Sequence, residues 1–386
     1  MTKECKISLF NDSMDGVFIN SDGISNIALN ALWRLKNECY FNDPQNLKNL
    51  VSKIKSKKSK DGYDCVIGLS GGFDSTFLAL KAKENGLNPL AVHLDNGWNT
   101  NLSISNIEKI VKKLNIELLT KVVNWSEMKD LQRSYIKASV LDLECVSDHA
   151  INTILYETAA KFGIKYILNG NNIKTEGNLP STWVYNKLDG INLLDIHKKF
   201  GESSIKTFPH MLPFRILWLL FVKKIKFISL LNYLDFKKKD ALIEIQEKLD
   251  YIPYERKHGE NLFTTFFQEI YLPKKFSIDK RVSHLSSLII SGEISKEEAK
   301  KELSKPILKD NQELEITEYV AKKLGFKYDE FQLLINAKPA KHTDFKNISN
   351  FLYYDNTYLQ IIRYLAKGEL NFNNLKNIYR KDKMRL

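Results

Sequence analysis

The run Asp64-Cys65-Val66-Ile67-Gly68-Leu69-Ser70-Gly71-Gly72-Phe73-Asp74-Ser75 decides the fold of this chain. Its first half is short and apolar, which predicts a buried strand, and helical spacing follows from about Ser75 to Asn85. Two glycines at such a junction let the backbone turn sharply and approach an anion with no Cβ in the way. The helix N-terminus then offers N–H groups and the positive end of its dipole. The run therefore predicts a phosphate-binding loop over 70–75.

Strands and helices alternate on the C-terminal side of this loop. Further strands are predicted at Pro89–Leu94, Glu117–Val123 and Ile164–Leu168, with helices at Ile104–Leu114 and Asp148–Phe162. This alternation predicts an α/β fold with a parallel, doubly wound sheet that is covered on both faces. Ligands of such sheets bind at the carboxyl ends of the strands.

Three parts of the chain differ in pattern. Residues 1–60 form an N-terminal segment with one turn at 20–23, one helix from Asn26 to Cys39, and a lysine-rich end that is typical of a solvated linker. Residues 61–208 form the α/β domain. Residues 209–386 are expected to be helical, with no strand, and to complete the site. The helices predicted there are Phe236–Leu249, Leu262–Ile270, Val282–Ile290, Lys296–Leu303, Glu315–Leu324, Lys327–Asn336 and Asn356–Ala366.

Composition limits the class of protein. The chain has 386 residues, of which 43% are hydrophobic and 27% charged, with a formal net charge of +12. This charge suits nucleic acid, but it suits a phosphorylated small substrate better, because lysines are scattered along a chain rich in Lys, Ile and Asn. We expect no DNA partner. The four cysteines contain no C-x-x-C pair, and no apolar segment follows Met1, so we expect a cytoplasmic protein.

The most apolar stretch, Phe214 to Leu231, is not expected to span a membrane. Arg215, Lys223, Lys224 and Lys226 interrupt it. A core helix is favoured, and a basic amphipathic helix at a membrane surface is the alternative.

The loop lacks a lysine, so it is not the G-x-x-x-x-G-K-[ST] motif, and it is not G-x-G-x-x-G. Its S-G-G-x-D-S pattern resembles the N-type ATP pyrophosphatases, the PP-loop superfamily. The resemblance implies that the loop holds the β- and γ-phosphates of ATP as a leaving group and leaves the α-phosphate open to attack. Ser70 and Ser75 would add hydroxyl donors. Asp74 would contact Mg²⁺ or orient the loop; otherwise it is a helix cap.

The other predicted strand ends supply the remaining candidates. His93 and Asp95 would lie near the adenine and ribose, and Asp95 equally suits an Asp-Asn-Gly turn. Gly170 and Asn171 would approach the nucleotide, and Glu176 is a candidate Mg²⁺ ligand or an exposed loop glutamate. His149 is a candidate general base, although a lone histidine is more often structural.

Longer stretches resemble one family within that superfamily. They include Asp95-Asn96-Gly97-Trp98, Ile196-His197-Lys198-Lys199-Phe200-Gly201, Lys257-His258-Gly259-Glu260 and Phe276-Ser277-Ile278-Asp279-Lys280-Arg281. Over about Tyr63 to Lys341 they look like the N-acetyl sugar amidotransferases. Those enzymes act on bacterial surface sugars such as pseudaminic acid, legionaminic acid and O-antigen uronic acids.

The resemblance implies a ligase reaction. An acetamido oxygen of a nucleotide-linked or free sugar would attack the α-phosphate of ATP, and ammonia from a separate glutaminase subunit would then displace AMP. Lys280 and Arg281 would clamp the phosphates, with Lys257 and His258 as secondary candidates; each is otherwise a solvated charge. The family's N-terminal cysteine pairs are missing, since Cys5 stands alone, so no zinc is expected.

Two other functions stay open. The basic charge allows a tRNA-modifying PP-loop enzyme, although thiolation is disfavoured by the lack of a cysteine pair. A nucleotide-binding subunit without catalysis is the third possibility.

Overall fold

The sheet has five parallel strands, and the predicted α/β class is confirmed. The computed structural model describes residues 2–255, 259–309 and 311–348. The strand order is β3-β2-β1-β4-β5. The bounds are β1 Cys65–Gly68, β2 Pro89–Asp95, β3 Glu117–Val122, β4 Tyr166–Asn169 and β5 Lys226–Ser229.

Sixteen α-helices lie within the described residues. The first eight are α1 Asn26–Asn37, α2 Pro44–Lys55, α3 Phe73–Glu84, α4 Asn101–Leu114, α5 Trp125–Lys137, α6 Cys145–Lys161, α7 Ile173–Glu176 and α8 Gly190–Phe200. The others are α9 Pro213–Leu217, α10 Lys238–Leu249, α11 Leu262–Phe266, α12 Leu272–Phe276, α13 Lys280–Ile290, α14 Lys296–Leu303, α15 Gln312–Leu324 and α16 Tyr328–Asn336. Single π-helical turns follow α9 at Trp218–Val222 and α11 at Phe267–Tyr271.

The two faces of the sheet bury different helices. Ile67 of β1 belongs to a core that includes Phe77 of α3, whereas Val66 belongs to a second core that includes Ile154 of α6. Because successive side chains of a strand point to opposite faces, α3 and α6 lie on opposite sides of the sheet. The phosphate loop and the start of α6 therefore approach the same sheet edge from opposite faces.

One strand lies where none was predicted. β5 pairs in parallel with β4, from Tyr166 opposite Lys226 to Asn169 opposite Ser229. The helical C-terminal part is confirmed, but the expectation that it contains no strand is wrong, and the sheet extends beyond residue 208. In the stretch 214–231 the helical residues up to Val222 are followed by β5 and by a 3-10 turn that begins at Leu230. α5 and α8 were also missed. The predicted helix Asn356–Ala366 lies outside the described residues.

The N-terminal segment folds against the helical part. It contains two isolated antiparallel bridges, Glu4 with Asn11 and Ile19 with Ser25. The Cys5 thiol is buried and accepts a hydrogen bond from the backbone N–H of Ser25. Among the described residues, no three His, Cys, Asp or Glu side chains come close enough together to hold a metal ion.

None of the described helices combines the length and the apolar character that crossing a membrane requires.

Candidate active site

The phosphate loop joins β1 to α3 and is held by its own hydroxyl groups. Gly71 has φ +78°, and a Cβ there would lie 2.5 Å from the Ser103 carbonyl oxygen. The Ser75 hydroxyl donates to the Gly72 carbonyl (3.1 Å) and lies 3.1 Å from the Ser70 hydroxyl. No side chain caps the N-terminus of α3. The result is a curled loop with an uncapped helix N-terminus, which is the arrangement that binds phosphate.

The loop forms one wall of a cleft of about 430 Å³. The other walls come from the end of β4, from α7 and α10, and from the segment that follows α10. The lining residues are Ser70, Gly72, Phe73, Asp74, Ser75, Gly170, Asn171, Glu176, Lys238, Leu242, Tyr251, Pro253, Tyr254, Glu255 and Glu260. The predicted residues of the loop, of the β4 end and Glu176 thus share one cleft.

Close packing brings the β4 end onto the loop. A Cβ on Gly170 would lie 2.9 Å from the backbone of Asp74, so glycine is needed at that position. The Asn172 amide lies 3.4 Å from the Asp74 Oδ1. Asp74 and Glu176 consequently line the same cleft from two different elements. In ATP sites Mg²⁺ is usually bound by one or two protein carboxylates together with the phosphates. This pair of carboxylates therefore suits Mg²⁺.

The helical part supplies cleft residues that were not singled out from the sequence. Tyr254 donates from its hydroxyl to the Gly71 carbonyl (3.1 Å), and burial raises the pKa of Tyr254 to about 12. Lys238 opens α10, and its ammonium lies 3.2 Å from the His284 Nε2. A Cβ built on Gly72 would lie 2.7 Å from the Glu260 Oε1, so Glu260 touches the phosphate loop.

Tyr254 and Glu260 lie in the region from Tyr254 to Leu303 on which the family resemblance depends most, although neither was assigned a role. Lys238 sits in an ordinary run of lysines, which gives no signal. Lys257 and His258 lie outside the described residues.

The two predicted side chains at the end of β2 are held by hydrogen bonds within the protein. The His93 Nδ1–H donates to the Leu69 carbonyl (2.8 Å), and Asn99 donates to the His93 Nε2 (3.1 Å). The Asp95 carboxylate accepts from the Gly97 N–H (2.9 Å), which is the turn-forming alternative for Asp95. Both side chains therefore shape the strand end beside the loop, and neither lines the cleft.

Two further predicted residues, His149 and Arg281, do not line the cleft. His149 is buried, with its Nδ1–H donating to the Lys187 carbonyl and its Nε2 accepting from the Met211 N–H, and burial lowers its pKa to about 4. The Arg281 guanidinium binds Asp279 and the carbonyls of Leu303 and Lys305. These bonds occupy both ring nitrogens of His149 and tie the Arg281 side chain to its own helix start and to the end of α14.

Lys280, which also does not line the cleft, lies near a second group of polar residues. Its ammonium lies 5.4 Å from the centre of the Phe267 ring. Burial opposes the charge of Asp142, but Lys187 and Lys280 outweigh it and hold the pKa of Asp142 below its usual range. Lys187 pairs with Asp142 (2.8 Å) and with Asp148 at the start of α6 (3.0 Å).

Lys187 and Asp148 belong to a set of polar residues at or near the start of α6. We call this set the α6 cluster: Glu144, Ser147, Asp148, Lys187 and Gln268. Gln268 donates to Glu144 (3.3 Å), and the Asn96 amide at the end of β2 lies 3.5 Å from the Ser147 hydroxyl. The α6 cluster therefore adjoins the carboxyl edge of the sheet from the face opposite to α3.

Two family models match the chain. The model described as LPS biosynthesis protein WbpG-like, C-terminal domain, matches residues 260–359, and the model described as queuosine biosynthesis protein QueC matches residues 64–158. The second match contains the phosphate loop, and the first begins at Glu260 in the cleft.

Together the two matches support the WbpG-like sugar amidotransferase family within the PP-loop superfamily. The family resemblance inferred from the sequence is thereby confirmed, and this PP-loop protein is of the ATP-utilising type.

A relative of this PP-loop protein is an uncharacterized protein of Methanocaldococcus jannaschii. It is 25% identical over 295 residues, which are 75% of this chain and 88% of the relative. A solved predicted subunit of tRNA methyltransferase from M. jannaschii is 17% identical, with 46% of this chain and 75% of that chain covered and a TM-score of 0.28. The solved NMN synthetase from Francisella tularensis is 18% identical. The match covers 67% of this chain and 96% of that chain, with a TM-score of 0.33. Likeness at this level says nothing about the reaction of this chain.

The first residues of the WbpG-like match bind the segment that follows β2. Asn261 forms an antiparallel bridge with Asn99, and the Thr100 N–H donates to the Glu260 carbonyl (3.1 Å). The PP-loop and the WbpG-like part of this protein thus meet at the cleft.

Proposed function

We propose that this chain is an ATP-dependent amidotransferase that converts the acetamido group of a sugar into an acetamidino group in bacterial surface glycan biosynthesis. The observation that carries the proposal is the position of Glu260. It begins the WbpG-like match and lies against Gly72 of the lysine-free phosphate loop.

The uncapped start of α3 and the two loop glycines fit the β- and γ-phosphates of ATP, because the curl of the loop leaves no room for a Cβ at Gly71, beside Ser103, or at Gly72, beside Glu260. Asp74 and Glu176 would hold Mg²⁺, which supplies charge neutralisation to the phosphates when it is bound. The loop has no lysine to stabilise a transferring γ-phosphoryl group, which favours pyrophosphate as the leaving group.

The sugar would approach from the α6 cluster. The carboxylates of Glu144 and Asp148 and the amide of Gln268 suit sugar hydroxyl and acetamido groups, and the Lys187 ammonium suits a sugar carboxylate or phosphate. The acetamido oxygen attacks the α-phosphorus of ATP. The bond between that phosphorus and the oxygen that bridges to the β-phosphate breaks, which releases pyrophosphate. Ammonia then adds to the imidate carbon, AMP leaves with the original oxygen, and an amidine results. A partner glutaminase would supply the ammonia.

The test combines the protein with MgATP, ammonium and a panel of nucleotide-linked and free acetamido sugars. We expect sugar-dependent pyrophosphate release and a product in which O is replaced by NH. Glutamine in place of ammonium is expected to fail with this chain alone. Release that depends on tRNA instead would favour a tRNA-modifying enzyme, and ATP binding with no release under any condition would indicate a non-catalytic subunit.

Asp74→Asn tests the assigned site. We expect a folded protein whose pyrophosphate release falls ~10²–10³-fold, because one preorganised charge has been removed. The matched control is Asp61→Asn, which changes an exposed aspartate outside the cleft and is expected to keep the wild-type rate. A wild-type rate in Asp74→Asn would refute the site.

A further inference from the structure

A row of large apolar side chains is exposed along one short segment. We call it the apolar ridge: Leu212, Phe214, Leu217, Phe221 and Val222, which lie on α9 and its π-helical turn or just before them. Phe214 is 82% exposed and Val222 63%. Exposed apolar residues that occur singly are ordinary, but five within eleven residues of one helical segment are a local concentration, and concentrated exposed apolar residues mark interaction sites.

The opposite side of this segment is fixed to the protein core. Leu219 is fully buried, and Trp218 packs against the core. Arg215 makes two hydrogen bonds to Glu157 of α6, at 2.7 and 2.6 Å. The apolar ridge is therefore a face that the fold holds outward.

Cations surround the ridge. Arg215 lies 4.2 Å and Lys223 4.8 Å from the centre of the Trp218 ring, and Lys224 is exposed. Lys165 donates to the Lys223 carbonyl, and Lys53 is close enough to interact with the charge of Lys226. The nearby carboxylate of Glu157 is neutralised by Arg215. The surface therefore combines protruding apolar groups with a positive rim.

We propose that the apolar ridge docks this protein onto the surface of an anionic lipid bilayer. Aromatic and aliphatic side chains on one helical face, with lysines beside them, are the composition that partitions into the headgroup region of anionic membranes. The apolar ridge offers only five exposed apolar side chains, with Phe214 projecting almost completely. A protein interface instead needs a broad surface of roughly 800 Å² per partner.

The geometry of the sheet sets the docked orientation. Lys226 is the first residue of β5, so Phe221 to Lys226 lie at the amino ends of the parallel strands. The cleft lies at their carboxyl ends, beside Ser70 and Gly170. Phe221 and Val222, with the lysines that follow them, therefore lie at the sheet edge opposite to the cleft.

Vesicle flotation of the full chain tests the proposal. Phosphatidylcholine vesicles are compared with vesicles in which part of that lipid is replaced by phosphatidylglycerol, at low and high salt. We expect binding to the anionic vesicles to be at least about tenfold stronger and to weaken with salt. Phe214→Ser/Phe221→Ser is expected to abolish it, and Lys223→Glu/Lys224→Glu to weaken it.

The matched control is Phe18→Ser/Leu333→Ser, which removes two side chains of similar exposure, 71% and 73%, from other elements. It is expected to bind as the wild type does, and circular dichroism checks that every variant is folded. Absence of wild-type binding, or equal loss in the control, would overturn the proposal. A wild-type dimer that the ridge variant dissociates would also overturn it, because the ridge would then be a protein interface.

Discussion

Gly71 and Gly292 both have a left-handed backbone, but only Gly71 has neighbours where a side chain would begin. Their φ angles are +78° and +75°. A Cβ on Gly71 meets the Ser103 carbonyl, whereas nothing lies within 4 Å of a Cβ on Gly292. Substitutions at the two glycines therefore distinguish the effect of backbone strain alone from the effect of a side chain that would distort the phosphate loop.

We expect Gly71→Ala to weaken ATP binding by at least about tenfold, because the loop must move away from α4 and lose its curl. Gly292→Ala is expected to lower the free energy of unfolding by ~1 kcal/mol and to leave ATP binding unchanged. Titration calorimetry with a non-hydrolysable ATP analogue and urea unfolding measure the two effects. Equal ATP affinity in both variants would contradict the assignment of the loop.

His149 gives a pH-dependent term to stability. Burial lowers its pKa from 6.5 to about 4 in the folded protein. The unfolded chain takes up the proton as the pH falls below 6.5, whereas the folded protein takes it up only near pH 4, so stability is lost across this window. The loss is on the order of 3 kcal/mol.

We expect His149→Gln to reduce this dependence, as measured by urea unfolding at pH 7 and pH 5. The Gln amide can still accept from Met211 and donate to Lys187, so pyrophosphate release should change by less than roughly tenfold. A general base would be worth ~10²–10⁴-fold. A loss of that size in a stable His149→Gln protein would restore the catalytic interpretation.

At the scale of elements, α15 clamps the turn that follows β2. The Lys323 ammonium donates to the Gly97 carbonyl and lies 4.6 Å from the Trp98 ring and 5.3 Å from the Trp125 ring. Gly97 itself needs a left-handed φ of +79° beside Trp125. The helical part thus holds the strand end that also carries Asp95 and His93.

Lys323→Met keeps the length of the side chain and removes its charge. We expect a loss of ~1–2 kcal/mol in the free energy of unfolding, because a partly desolvated cation–π contact and a hydrogen bond disappear together. The KM for ATP should rise more than kcat falls, since the turn only positions the site. Lys322→Met, an exposed neighbour on the same helix, is the control, and equal behaviour of the two variants would refute the clamp.

At the scale of the whole molecule, the N-terminal segment is tied to the C-terminal helices by hydrogen bonds and ion pairs. The Leu9 N–H donates to the Ser286 hydroxyl of α13, and Lys300 of α14 pairs with Glu4. Burial opposes ionisation of the Cys5 thiol, but hydrogen bonds from Ser8 and Ser25 outweigh it and lower its pKa.

We expect the purified protein to contain no stoichiometric zinc and its melting temperature to be unchanged by EDTA. A structural zinc contributes directly to folding, so its removal would lower the melting temperature clearly. Elemental analysis and a thermal scan with and without the chelator measure this. One zinc per chain, lost together with stability, would contradict the prediction.

The sequence alone determined the phosphate loop, the first four strands and the placement of Gly170, Asn171 and Glu176 around one cleft. These follow from local signals, because glycines between a strand and a helix and apolar runs act over a few residues. The tertiary structure decided the rest. β5 forms where the chain meets the free edge of β4, and Arg281 pairs with Asp279, two residues before it. Lys238, Tyr254 and Glu260 enter the cleft through contacts between residues far apart in sequence, which no local pattern records.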